Sequence, residues 1–137
     1  MHDSLLSKRY AEALMSLSLE LKVVEEVLDD MKSLEKVYKD DREFQLFLKS
    51  PVILPERKQK AMKSAFEGKV SDLTIRFLML ITKHRREKIL DQITRQYVAL
   101  YNEHHNIIIT YLTTAAKVDE PIKQEIIRLM KDYTKGN

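Results

Sequence analysis

Apolar residues recur every three to four positions along most of the chain, which is the spacing of amphipathic α-helices. A first stripe begins behind Asp3 and Ser4, either of which can cap a helix. A second stripe follows with no glycine or proline at the join, so we place the boundary near residues 19–22. The two stripes consist of Leu6, Tyr10, Ala13, Leu14, Leu17 and Leu21, and of Val24, Val27, Leu28, Met31, Leu34 and Tyr38.

Four further helices are delimited by residues that start or stop helices. Aspartate and serine cap helix starts, proline suits a first turn, and proline or glycine ends a helix. The starts are marked by Asp40–Asp41, Pro55, Ser71–Asp72 and about Glu87, and the stops by Ser50–Pro51 and Gly68. Six helices in roughly a hundred residues, joined by short connections, make a compact bundle. We therefore predict a mainly α protein with a six-helix bundle over residues 1–105.

The pattern changes at Asn106. Residues Ile107–Thr114 are rich in β-branched and aromatic side chains, which predicts a strand. A final helix is predicted from Asp119–Pro121, with an apolar face of Ile122, Ile126, Leu129, Met130 and Tyr133. One strand and one helix cannot complete a sheet, because a lone strand leaves its backbone groups unpaired. We expect residues 106–137 to be the start of a truncated α+β domain, whose strand either pairs with a second molecule, forming a homodimer, or stays mobile.

Composition excludes several classes of function. Two glycines cannot build a phosphate-binding loop, and the absence of cysteine excludes disulfides, thiol catalysis and cysteine-ligated zinc. The net charge of +3 is too small to indicate nucleic-acid binding by itself. No apolar run is long enough to span a membrane. We expect a protein without cofactor, metal or catalytic residues, which binds neither ATP nor magnesium.

Three polar clusters have possible chemical roles. The carboxylates of Glu25, Glu26, Asp29 and Asp30 lack the histidine of di-iron helix bundles, so we interpret them as a solvated face. The adjacent His104–His105 point about 100° apart on a helix and cannot chelate one ion. The basic cluster Lys83–Lys88 is interpreted as helix capping, with an acidic partner or RNA as the alternative.

The fifth helix, from Leu73 to about Lys83, is apolar on nearly all sides, whereas a helix buried on one face needs only a narrower apolar stripe. The first helix also carries small and apolar residues beyond one buried face, because Ala11, Met15 and Ser18 lie opposite the main stripe. The fifth helix is either the central core helix or part of a groove, shared with the first, for a partner helix.

Short motifs in the same order along the chain resemble one protein family. These are Arg9–Leu14, Phe47–Leu48, Ser50–Pro51, Lys58, Phe66, Phe77–Leu78, Leu80, Arg86, Leu90, Ile93, Tyr97 and Thr114–Ala116. Together they resemble the delta subunit family of the F-type ATP synthase, also called the oligomycin-sensitivity-conferring protein family.

The resemblance implies a non-catalytic stator subunit that ties the catalytic head to the peripheral stalk, at the cytoplasmic face of the bacterial inner membrane. It also implies that helices one and five receive the N-terminal helix of an alpha subunit. The positions carried over are Tyr10, Ala11, Leu14, Met15, Ser18, Ile75, Leu78, Met79 and Thr82. Family members continue through further strands, so we expect a truncated chain that lacks part of its contact with the b subunits. The alternative is an all-helical RNA-binding adaptor of the antitermination type.

Overall fold

The computed structural model describes residues 2–115, Pro121, Gln124–Glu125 and 127–129. In this part of the chain the fold is helical, and it contains no β-sheet. The mainly α class is therefore confirmed. The elements are α1 His2–Leu21, α2 Val24–Asp40, α3 Arg42–Lys49, α4 Pro55–Phe66, α5 Asp72–Lys83, a 3₁₀ helix Glu87–Ile89, and α6 Leu90–Ala115.

The helix starts and stops read from local residues are confirmed for α3, α4 and α5. The Asp41 side chain accepts a hydrogen bond from the Phe44 amide at 3.1 Å, and that of Ser71 accepts one from the Thr74 amide at 3.3 Å. Pro55 occupies the first turn of α4. Gly68 follows α4 with a φ of 81°, a conformation that costs glycine little because it has no Cβ.

The end of α1 is made by a backbone motif that uses no glycine. Lys22 takes a left-handed φ of 60°. The Val23 amide donates to the Ser18 carbonyl at 2.9 Å and the Lys22 amide to the Leu19 carbonyl at 3.2 Å, which is the Schellman pattern. The same pattern ends α5 at Arg85, whose φ is 59°. The predicted boundary near residues 19–22 is confirmed.

The core lies where α1 and α2 pack on α6, and α4 packs on α5. Its fully buried side chains include Leu14, Met31, Leu34, Leu48, Met62, Leu78, Ile81, Ile93 and Tyr97. The Tyr97 hydroxyl donates to the Val24 carbonyl at 3.2 Å, which ties α6 to the start of α2. Burial raises the pKa of Tyr97 to about 12, because the ionised phenolate is poorly solvated there.

Three buried charged side chains, Lys58, Glu87 and Asp30, connect distant helices. The Lys58 ammonium donates to the carbonyls of Leu48 at 3.0 Å and Ser50 at 2.7 Å, where α3 ends, and to Glu87 at 3.1 Å. These bonds tie α4 to the end of α3 and to the 3₁₀ helix.

Asp30 of α2 has the same kind of role at the start of α5. Its carboxylate accepts hydrogen bonds from the Ser71 amide at 2.9 Å and the Thr74 hydroxyl at 2.7 Å. A negative charge is favourable at this position because the helix dipole is positive at its N-terminus.

The predicted strand Ile107–Thr114 is wrong, because these residues form the last turns of α6. Neither glycine nor proline interrupts the chain there, and each added helical residue gains a backbone hydrogen bond that a lone strand lacks. The hydroxyls of Thr110 and Thr114 donate to the carbonyls four residues earlier, at 2.9 and 3.0 Å. Strand pairing therefore has no basis in this segment.

The predicted domain boundary at residues 105/106 falls inside α6. Of the predicted final helix, Pro121, Gln124–Glu125 and 127–129 are helical. Ile122, Ile126, Met130 and Tyr133 lie outside the described residues. Within the described part, no helix combines the length and apolarity needed to cross a membrane.

Candidate partner-binding surface

The apolar surplus of α5 is largely explained by the core. Thr74, Ile75, Phe77, Leu78, Ile81 and Thr82 are all buried, so α5 packs against the bundle over a wide arc. Leu73 and Met79 are half-buried, and Leu80 is 45% exposed. These three side chains are the apolar part of α5 that remains accessible to a partner.

The structure places most of the nine predicted groove residues inside the bundle. Five of them, Ala11, Leu14, Ser18, Leu78 and Thr82, are at most 1% exposed. Met15 is 8% and Ile75 is 9% exposed, while Tyr10 and Met79 are half-buried. The Ser18 and Thr82 hydroxyls donate to carbonyls of their own helices at 2.7 and 2.6 Å.

Tyr10 and Met79, the two half-buried residues of the predicted set, are found at different sides of α5. Tyr10 packs edge-to-face on Phe77, with ring centroids 6.3 Å apart and an interplanar angle of 72°. Met79 lies two residues further along α5, about 200° around the helix. Its side of α5 faces α4, where the Gln59 amide donates to the Met79 carbonyl at 2.9 Å and Ile75 and Met79 line an open groove.

One face of α5 and one face of α1 carry apolar side chains, several of which are half-buried or exposed. On α5, residues 73, 77 and 80 share one face, and on α1, residues 6, 10 and 17 do so, because they follow helical spacing. The Tyr10–Phe77 contact joins the two faces. We call these two faces together the α1–α5 strip; it consists of Leu6, Tyr10 and Leu17 with Leu73, Phe77 and Leu80, of which Phe77 is buried and contacts Tyr10.

Of the α1–α5 strip, only Tyr10 is among the site residues predicted from the sequence. The first apolar stripe of the sequence contains Leu6 and Leu17, and the width of this stripe is the signal that could have identified them. When an apolar stripe is wider than the contact with one neighbouring helix, the side chains at its edge lie outside the core. In the structure Leu17 lies at that edge and is 45% exposed.

The predicted solvated face is confirmed for Glu25, Glu26 and Asp29, which are exposed, and is wrong for Asp30, which is buried at the start of α5. The Tyr101 hydroxyl donates to Glu25 at 2.7 Å, which raises the pKa of Tyr101, and His105 stacks on the Tyr101 ring at 5.8 Å. Burial lowers the pKa of His104. Among the residues the structure describes, no group of three or more His, Cys, Asp or Glu is arranged to hold a metal ion.

The basic cluster Lys83–Lys88 ends α5 through its backbone. The Arg85 and Arg86 amides donate to the Thr82 and Ile81 carbonyls at 3.0 and 2.7 Å. Glu87 pairs with Lys58, while the cationic side chains of the cluster are exposed and form no ion pair with the described residues. The end of α5 is therefore capped by backbone hydrogen bonds, and the cationic side chains are available for other contacts.

A helical bundle with an apolar surface strip between two helices has the features of a protein-interaction domain. The comparisons with known proteins agree with this class. The family model for the ATP synthase delta (OSCP) subunit matches residues 6–137. The chain belongs to this family, and the resemblance inferred from its motifs is confirmed.

Individual relatives match over most of the chain. It is 33% identical over 123 residues to the ATP synthase subunit delta of Desulforamulus reducens, which covers 90% of this chain and 68% of that protein. It is 34% identical over 122 residues to the ATP synthase subunit delta of Lachnoclostridium phytofermentans, and the match covers 89% of this chain and 67% of that protein. The protein of Chloroherpeton thalassium is 29% identical over 135 residues, covering 98% and 74%. These similarities support a role in the ATP synthase, as a subunit with no indicated catalytic activity.

Proposed function

We propose that this chain is a non-catalytic peripheral-stalk subunit of the proton-translocating F-type ATP synthase. It binds the N-terminal helix of an alpha subunit and thereby links the catalytic head to the stalk, at the cytoplasmic face of the bacterial inner membrane. The b subunits of the stalk are its second partner. Membership of the delta family favours this function over the RNA-binding alternative.

The observation that carries the proposal is the α1–α5 strip. Leu17 and Leu80 are each 45% exposed, and Leu6, Tyr10 and Leu73 on the same two helix faces are half-buried. An amphipathic helix laid along the strip would remove these side chains from water, at a gain of roughly 25 cal/mol per Å² of apolar area. A stator link needs such a persistent contact, since it must resist the torque that acts on the catalytic head.

The proposed contact differs in position from the nine residues carried over from the family resemblance. Five of those nine residues are core residues of α1 and α5 and would not touch the partner helix: Ala11, Leu14, Ser18, Leu78 and Thr82. Tyr10 belongs to both sets. Ile75 and Met79, on the side of α5 that faces α4, are not needed for binding in this proposal.

The test is a calorimetric titration with a synthetic peptide of the alpha-subunit N-terminal helix. Leu17→Glu is expected to weaken binding at least about tenfold, because it places a charge in an apolar contact. Leu46→Glu is the matched control, since Leu46 is 57% exposed but lies on α3, outside the strip. Equal affinity of the two variants, with both folded by circular dichroism, would exclude the strip as the binding surface.

A further inference from the structure

A small cavity of about 170 Å³ lies where α3 ends, α4 begins and the chain leaves α5. Its walls include Pro51 of the α3–α4 loop, together with Arg85 and Lys88. The buried Lys58–Glu87 pair is also part of its lining. The cavity shares no residue with the α1–α5 strip.

Cations outnumber carboxylates around this cavity. The charged lining residues are Lys49, Lys58, Arg85 and Lys88 against Glu87. Lys58 and Glu87 neutralise each other, and the three remaining cations are exposed. None of the three forms an ion pair within the described part of the chain; Lys49 only lies over the Tyr38 ring, at 5.9 Å. Three unneutralised positive charges around one small cavity attract an anion.

Arg85 occupies a backbone position that glycine would fill without strain. Its φ of 59° is the left-handed conformation, in which Cβ crowds the following carbonyl oxygen. The hydrogen bond from its amide to the Thr82 carbonyl, at 3.0 Å, does not depend on the side chain. Lys22 ends α1 with the same backbone motif at a φ of 60°, so this conformation belongs to the helix end. The guanidinium takes no part in this turn; Arg85 is exposed and lines the cavity, so its side chain is available to a ligand there.

The loop beside the cavity exposes large apolar side chains. Val52 is 83% exposed and Leu54 is 58% exposed, on either side of the cavity-lining Ile53. A free inorganic anion would leave these side chains in water, whereas a polypeptide can cover them while it fills the cavity. The two features together favour a protein segment as the ligand.

We propose that the cavity receives the carboxylate of an acidic side chain from a partner polypeptide, whose neighbouring apolar residues cover Val52 and Leu54. Arg85 and Lys88 bind the carboxylate through charge-assisted hydrogen bonds, and Lys49 adds positive potential. Lys58 is already engaged with Glu87 and two carbonyls, so it supports the cavity without binding the ligand.

The test is an NMR titration of the full 137-residue chain at constant ionic strength. The probes are the blocked tripeptide acetyl-Leu-Glu-Leu-amide, its glutamine counterpart acetyl-Leu-Gln-Leu-amide, and inorganic phosphate. We expect saturable shifts at the amides of Val52, Arg85 and Lys88 with the glutamate peptide, and about tenfold weaker binding of the glutamine peptide. Equal binding of the two peptides would overturn the proposal. If phosphate binds as tightly as the glutamate peptide does, the cavity is a simple anion site and the proposal is also overturned.

Variants separate binding from folding. Arg85→Gly removes the side chain and relieves the backbone strain, so we expect a higher melting temperature together with about tenfold weaker binding of the glutamate peptide. Lys88→Gln is expected to weaken binding in the same direction, while the control Lys32→Gln, on the exposed face of α2, leaves it unchanged. If Arg85→Gly raises the melting temperature and leaves peptide affinity unchanged, Arg85 acts only in the turn and the proposal fails.

Discussion

The Lys58 ammonium lies 3.1 Å from the Glu87 carboxylate, and both side chains are buried, at 4% and 6% exposure. The same ammonium donates to the Leu48 and Ser50 carbonyls, so all three of its N–H groups are engaged. One cation thus satisfies the end of α3 and neutralises a carboxylate at the start of the 3₁₀ helix. Such a pair is costly to break on one side, because the remaining charge stays buried without a partner.

Lys58→Met is therefore expected to destabilise the fold by about 3–5 kcal/mol in urea unfolding, because it leaves Glu87 buried and unpaired. Adding Glu87→Leu should restore part of this loss, since the second change removes the unpaired charge. Arg76→Met is the matched control: its ion pair with Asp72 is 78% and 85% exposed, and its loss should hardly change stability. A double variant as unstable as the sum of its two single variants would contradict the coupling.

Met79 and Leu80 are neighbours that test which side of α5 binds the alpha-subunit helix. They point about 100° apart, Met79 towards the α4 groove and Leu80 away from it. In the peptide titration described above, Leu80→Glu is expected to weaken binding at least about tenfold, and Met79→Glu to change it little. The reverse order would assign binding to the side of α5 where Ile75 and Met79 line the groove beside α4.

Lys22→Gly is expected to stabilise the protein by about 0.5–1 kcal/mol, because glycine takes the left-handed conformation at the end of α1 without steric cost. Lys32→Gly, in the interior of α2, should instead destabilise it by about 1 kcal/mol. Chemical denaturation of both variants measures the difference. A loss of stability in Lys22→Gly would mean that its side chain contributes more than its backbone strain costs.

Tyr97 is expected to make the protein sensitive to alkali. Its pKa of about 12 in the folded state exceeds the ordinary value of 10.0, so the folded state keeps a proton that the unfolded state has already lost between these two values. Stability should be fully present below pH 10 and fall by about 1.4 kcal/mol per pH unit up to pH 12. Tyr97→Phe should show a shallower fall over the same range. An unchanged slope in this variant would mean that other groups cause the loss.

The sequence alone determined the helical class and the bounds of several helices, because those signals are local. The Asp41 and Ser71 caps, Pro55 and Gly68 each act within a few residues of their own position. The family could also be inferred, since its motifs keep their order along the chain.

Tertiary structure decided which side of each helix is buried and which polar groups meet. Lys58 and Glu87 are 29 residues apart and Asp30 and Ser71 are 41 apart, so no local pattern predicts either contact. Five of the nine predicted groove residues are buried in the bundle. The sequence could not show which of the nine are exposed, because one step along a helix rotates a side chain by about 100°. Residues Ile107–Thr114 were mistaken for a strand because β propensity is a weak preference. A helix already under way satisfies every backbone group as it lengthens, whereas a strand depends on a neighbour that only the folded molecule can provide.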